Sequence, residues 1–335
     1  MRKIKIGQIG IGHNHGEGKM QAIRHFPDTF EVVGVAESDP AWIAKRGGLP
    51  VYAGLPWMSP DELLAMKDLD AVLVETDVWN LVPTAQRCLD AGLHIHMDKP
   101  AGEDIGAYAR LLETARRRRL IVQLGYMYRY NPAVQYCREA VRRGELGEIL
   151  SIDAAMCTEH PAEFRTWLKH FQGGTMFIFG CHLIDLILLL QGKPDRIVPF
   201  QKRTGLDGID VPDNGLAILE YPRCGATGRT SSFEVNGYGR RQLVICGSRG
   251  SIEIKPLEKP TVLALTLKTY SQPYADARQI IDLPSNGDRY DEMVFDWARM
   301  IRGEQENPYS CDHELLVQQA TLQACGFEVS YSGGY

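Results

Sequence analysis

The strongest constraint on how this chain folds lies at its start. A strand, a glycine turn, a helix, a second strand and an acid follow one another without interruption. Residues 3–9 read as a short apolar strand that runs into Gly10-Ile11-Gly12-His13-Asn14-His15-Gly16. A helix is expected over 17–26 and a second strand over 31–36, ending in Glu37-Ser38-Asp39-Pro40. Gly10 permits the tight turn, and Gly12 lets backbone approach a pyrophosphate at the helix N-terminus. Glu37 stands 25 residues after Gly12. A carboxylate there accepts hydrogen bonds from a ribose 2′-hydroxyl and repels a 2′-phosphate, which favours NAD over NADP. His15 takes the place of the usual third glycine, with Gly16 next. His13 and His15 read as polar helix-start residues near a diphosphate. A metal reading would need His94 or His96 as well, and no metal is expected, because two histidines in a turn are too few ligands.

The alternation continues. Helices are expected over 61–66, 83–91 and 105–118, and strands over 70–76, 93–97 and 120–124. Strands alternating with helices imply a parallel sheet with right-handed crossovers. Such sheets bind ligands at the carboxyl ends of their strands. Thr76, Asp98, Lys99 and Tyr126 all fall at such ends. The run His94-Ile95-His96-Met97-Asp98-Lys99-Pro100 matters most, since a lysine beside a nicotinamide can orient and help deprotonate a hydroxyl. The cofactor set is therefore Gly10, Ile11, Gly12, His13, Asn14, His15, Glu37, Ser38, Thr76, Asp77, Asp98 and Lys99.

Length and composition narrow the class. A chain of 335 residues points to two domains, here expected at 1–124 and 125–335. A formal net charge of -5 argues against nucleic-acid binding. The one basic cluster, Arg116-Arg117-Arg118-Arg119, sits at a helix end, where cations complement the dipole. Eight scattered cysteines without a CxxC pair read as reduced core residues of a cytoplasmic protein. No cleavable leader is expected, because glycines break the first apolar run. The run 183–190 contains Asp185 and is too short to span a bilayer, so it reads as a buried helix.

Taken together, these features resemble the Gfo/Idh/MocA oxidoreductases, the glucose–fructose oxidoreductase and inositol dehydrogenase family. Gly10-Ile11-Gly12 and Glu37 match the dinucleotide turn and its acid. Asp98-Lys99-Pro100 resembles the family's Glu-Lys-Pro signature with a shortened acid. The stretch from Gly125-Tyr126-Met127-Tyr128-Arg129 to Pro132 is similar to the segment that opens the second domain. Gly173-Gly174 through Gly180-Cys181-His182-Leu183-Ile184-Asp185 resembles the segment carrying the family's catalytic histidine, and Tyr290 with the helix to Gly303 resembles its late helix. The resemblance implies an α/β protein: an N-terminal Rossmann dinucleotide-binding domain and a C-terminal α/β domain with a large, mostly antiparallel open sheet. Strand-like runs at 149–156, 215–221, 230–235, 241–246, 251–254 and 262–268 suit that second domain. A homo-oligomer, dimer or tetramer, is implied as well. The chain departs from the family where Ile178 replaces an aspartate, where Val78 follows Glu75-Thr76-Asp77, and where Leu81 replaces a histidine.

The implied chemistry is reversible hydride transfer between NAD and a secondary alcohol of a sugar, polyol or related small molecule. His182 takes or returns the hydroxyl proton, and Lys99 hydrogen-bonds the same oxygen. Tyr126, Arg129, Trp167 and Asp185 are the expected substrate contacts. Two other classes remain open at this point. One is an NAD-using lyase, hydrolase or epimerase with transient oxidation. The other is a non-catalytic sensor of a dinucleotide and a sugar-like ligand. No nucleic-acid or membrane partner is expected.

Overall fold

The computed structural model describes residues 2–269, 278–284 and 287–329. The fold is α/β, and its contacts group into two compact units. The first takes residues 1–127 and 286–315; the second takes 128–285 and 316–335.

The first unit opens with β1 (Ile4–Ile9), α1 (Gly16–Arg24), β2 (Phe30–Ala36) and α2 (Pro40–Arg46). It continues through β3 (Trp57–Met58), α3 (Pro60–Leu64), β4 (Ala71–Val74), α4 (Leu81–Asp90), β5 (His94–Met97), α5 (Ile105–Arg118) and β6 (Val122–Leu124). The six strands form one parallel sheet in the order β3-β2-β1-β4-β5-β6. All four residues of β4 are buried, as a strand covered on both faces requires. Local chemistry sets the helix starts. Asp39 accepts from Ala41 N (2.8 Å) to cap α2, Ser59 and Glu62 form a capping box on α3, and Asp104 accepts from Ala107 N (2.9 Å) on α5.

The second unit contains α6 (Pro132–Arg142), β7 (Ile149–Cys157), α7 (Ala162–Trp167), α8 (Cys181–Gln191), β8 (Arg196–Lys202), β9 (Asn214–Glu220) and β10 (Gly225–Ser231). Then come β11 (Gln242–Gly247), β12 (Gly250–Ile254), β13 (Leu263–Leu267) and β14 (Gln279–Ile280). Its eight strands run β14-β13-β12-β11-β7-β10-β9-β8, antiparallel except for the β7–β10 pair. The strand expected over 230–235 instead lies earlier, as β10. Its residues Gly225-Ala226-Thr227-Gly228-Arg229-Thr230-Ser231 are small and polar, so apolar patterning missed it. α8 lies against this strand: a Cβ on Gly228 would meet Leu183 Cβ at 3.7 Å, an ordinary contact distance. Leu183, Ile184, Leu186, Ile187 and Leu188 of α8 are all buried. The run read from sequence as a buried helix is one.

The chain closes with α9 (Asp291–Ile301) and α10 (Cys311–Ala324). α9 belongs to the first unit for identifiable reasons. Gln123 Nε2 of β6 donates to Met293 O (3.0 Å), and His25 pairs with Asp291 (2.9 Å). No helix among the described residues is long and apolar enough to cross a membrane.

Candidate functional site

The glycine turn is built against the ends of β2 and β4. Gly10 has φ +89°, and a Cβ there would stand 2.5 Å from Thr76 N. Any other residue would be strained and would push the turn off β4. Glu37 reaches back over the turn: its carboxylate accepts from Ile11 N (2.9 Å) and Asp39 N (2.9 Å). Arg46 of α2 holds the turn from outside, donating to Ile11 O (3.1 Å), His13 O (2.7 Å) and Asn14 Oδ1 (2.7 Å). Beside the turn is a cavity of about 200 Å³ whose lining includes Gly10, Glu37, Ser38, Asp39, Thr76 and Asp77. A glycine cradle, a helix start at Gly16 and an acid-edged cavity fit a dinucleotide. In such a fit Glu37 and Ser38 would face the adenosine ribose, and the backbone from Gly10 to His15 the diphosphate.

Behind the turn lies a buried polar cluster. Asp98 follows β5 directly, and its Oδ1 accepts from Lys99 N (2.6 Å). Its Oδ2 faces His15 Nδ1 (3.1 Å), His13 Nδ1 (3.4 Å) and the Lys19 ammonium. Lys19 also lies 3.2 Å from Glu75 Oε1. Lys19, Glu75 and Asp98 are wholly buried. Two carboxyl groups here share one ammonium, and their surroundings separate them. Burial alone would raise Asp98, but His13, Lys19 and His15 outweigh it and hold the carboxyl well below its usual range. Burial pushes Glu75 up to about 8, opposed by Lys19 and helped by the negative Asp98. Burial thus favours the neutral form of Glu75, while the neighbouring nitrogens favour the charged form of Asp98. Burial lowers both histidines, His13 well below its ordinary value, against the opposing pull of Asp98. Lys99 is 3% exposed at this same strand edge.

In the second unit, His182 occupies the first turn of α8 and is 3% exposed. The ring of Tyr128 meets it edge-on at 5.1 Å and 81°. Tyr128 donates its hydroxyl to Glu258, which also accepts from Arg241 (2.5 Å). One turn beyond His182, Asp185 takes a forked contact from Arg129: Nε at 3.0 Å to both oxygens and Nη2 at 2.6 Å to Oδ1. Both side chains are 1% exposed. Removing one partner of such a pair strands a buried charge, so Asp185→Ala is expected to cost about 3 kcal/mol of unfolding free energy. The double change Arg129→Met, Asp185→Leu should cost clearly less. Urea unfolding of the three variants measures this, and equal losses in all of them would refute the buried-charge account.

The structure brings Gly10, Ile11, Gly12, His13, Asn14, His15, Glu37, Ser38, Thr76, Asp77, Asp98 and Lys99 to one edge of one sheet, though in different roles. Glu37 spends both oxygens on backbone amides, and Asp98 gathers side chains beneath the turn. The histidines of β5 do not join His13 and His15: His94 Nδ1 accepts from Ile121 N, and His96 pairs with Gln123. The third group in metal-ligand range of His13 and His15 is Asp98, and the Lys19 ammonium already rests on that carboxylate. Among the expected substrate contacts, Arg129 and Asp185 grip each other, and Tyr126 is buried beyond β6. Trp167 packs among aromatics, 5.2 Å from Phe164 and 5.0 Å from Phe171. Val78, Leu81 and Ile178 are all buried, so the apolar departures serve packing. Sequence reasoning missed Lys19 and Trp42 and gave Glu75 no role. The available signal was a charged residue on the buried face of α1, beside Met20, Ala22 and Ile23.

Residues 4–126 match an oxidoreductase family with an NAD-binding Rossmann fold, and residues 134–253 match the GFO/IDH/MocA C-terminal domain. D-xylose 1-dehydrogenase (NADP(+)) 2 of Haloferax volcanii is 27% identical over 304 residues, covering 88% of this chain and 87% of its own. The dTDP-3,4-didehydro-2,6-dideoxy-α-D-glucose 3-reductase of Streptomyces violaceoruber is 26% identical, covering 78% and 77%. Among solved structures, the WlbA dehydrogenase of Bordetella pertussis, in complex with NADH and UDP-GlcNAcA, superposes with a TM-score of 0.77. It is 16% identical, over 97% of each chain, and so shares the fold.

Proposed function

The chain belongs to the GFO/IDH/MocA oxidoreductase family, and on that footing we propose that it transfers a hydride between NAD and a secondary alcohol of a sugar, polyol or related small molecule. The observation that carries this reading is Lys99, buried at the carboxyl edge of the sheet that holds the glycine turn, with its backbone fixed by Asp98. The dinucleotide, when bound, accepts or gives the hydride; the protein's part is binding, orientation and proton movement. Lys99 donates a hydrogen bond to the alcohol oxygen and stabilises negative charge as it develops. His182 takes the hydroxyl proton in oxidation and returns it in reduction. Two curated relatives named for sugar chemistry support the substrate class. The test is a panel of pentoses, hexoses, cyclitols and nucleotide sugars supplied with NAD, following reduced nicotinamide and product identity. Bound cofactor without net reduction on any member would reject net dehydrogenation, in favour of transient oxidation or sensing.

Cofactor choice is a separate expectation. Glu37, Asp39 and Asp77 all border the cavity expected to take the adenosine ribose. A 2′-phosphate would meet those carboxylates at close range, so kcat/KM with NAD should exceed that with NADP at least tenfold, or about 1.4 kcal/mol. The Haloferax relative is named for NADP, which makes the comparison decisive. Parity, or a preference for NADP, would reject the assignment. The reading also includes a cytoplasmic homo-oligomer. Eight free cysteines, six of them buried, support the compartment, and the oligomer rests on the family resemblance alone.

A further inference from the structure

The second glycine of a dinucleotide turn lacks a side chain so that a pyrophosphate can come close to its backbone. Here that open face is covered. A Cβ on Gly12 would lie 2.9 Å from Trp42 Nε1 and 3.3 Å from Asp77 Oδ1. Trp42 Nε1 donates to Asp77 Oδ2 at 3.0 Å. The indole comes from α2, just after the second strand, and the carboxylate from the loop after β4. Together they bridge the turn. The cavity beside the turn is lined by Gly10 and Asp77, and Gly12 is not among its lining residues. The indole is held from its own helix as well. Lys45 Nζ lies 5.3 Å and Arg46 Cζ 5.0 Å from its ring centroid.

We propose that the Trp42–Asp77 bridge is an internal competitor for the cofactor diphosphate and sets the affinity and entry rate of the dinucleotide. The inference rests on the dinucleotide reading above. The physical argument has two parts. The indole edge fills the space that Gly12 leaves open, and the Asp77 carboxylate puts a negative charge where two phosphates must pass. The diphosphate and the closed bridge therefore exclude each other, and binding first breaks the indole–carboxylate hydrogen bond. Closure reduces the apparent affinity by the fraction of molecules closed. Arg46 need not move during opening, because its guanidinium is anchored on the carbonyls of Ile11 and His13.

The test uses the full chain with NAD. Trp42→Phe keeps a ring beside Lys45 and Arg46 but has no N–H to donate. It should bind NAD about three- to tenfold more tightly by calorimetry, the size of one net hydrogen bond. Its association should be faster in stopped flow. Asp77→Asn, which removes the charge, should shift affinity in the same direction. Binding by Trp42→Phe that equals or falls below the wild type would overturn the proposal; weaker binding would make the indole a cofactor contact. If wild type and both variants bind neither NAD nor NADP, the dinucleotide reading itself fails and takes this inference with it. If wild type binds and Trp42→Phe does not differ, only the bridge is rejected.

Discussion

Replacing His182 by glutamine is expected to lower kcat/KM about 10³-fold, within the range for loss of a positioned general base. Glutamine keeps similar bulk and a hydrogen-bonding end but cannot exchange a proton near neutral pH. The loss should therefore come with disappearance of the pH–rate limb that the imidazole contributes, while NAD affinity stays within a factor of a few. The imidazole's setting makes this a sharp test. It is buried on the first turn of α8 and faced by the Tyr128 ring, whose hydroxyl is fixed by Glu258. Rate loss without a change in pH profile would assign His182 a packing role, and a loss under tenfold would remove it from the chemistry.

Lys99→Met should lower kcat by about 10²- to 10³-fold, the usual effect of deleting a donor aimed at developing negative charge. Methionine keeps much of the aliphatic stem, so the change mainly removes the ammonium. The backbone of Lys99 remains tied to Asp98 through its own N–H in this variant. Lys99→Arg should restore only part of the rate. A planar guanidinium does not reproduce a compact ammonium at a position 3% exposed. The discriminating measurement is the division between turnover and binding. If the whole loss appears as weaker NAD binding with kcat unchanged, Lys99 is a cofactor clamp rather than a partner of the reacting hydroxyl.

The second unit adds a stability argument to these kinetic ones. Arg129 and Asp185 were expected at the substrate, and they form a buried fork with each other. Their aromatic neighbour Tyr128 serves a second buried network, with Glu258 and Arg241. These contacts brace α8 around His182. A variant at Asp185 should therefore lose activity through lost order as well as any direct contact, and unfolding must be measured beside rate.

What the sequence alone determined is what local chemistry encodes. Gly10 and Gly12 between two apolar strands specify the turn, because only glycine tolerates that φ and that closeness. Strand–helix alternation specifies a parallel sheet, and a parallel sheet places Thr76, Asp98 and Lys99 on one edge. The tertiary structure alone decided which side chains meet. Lys19 and Asp98 are 79 positions apart, Arg129 and Asp185 are 56 apart, Tyr128 and Glu258 are 130 apart, and Trp42 and Asp77 are 35 apart. Hydrophobic periodicity reports which face of an element is covered and says nothing of what covers it. A polar residue on a covered face must find a partner, because burial without one is costly, and only the packed chain selects that partner. β10 was misplaced because its small and polar residues carry no apolar alternation, and only pairing with β7 and β9 makes them a strand.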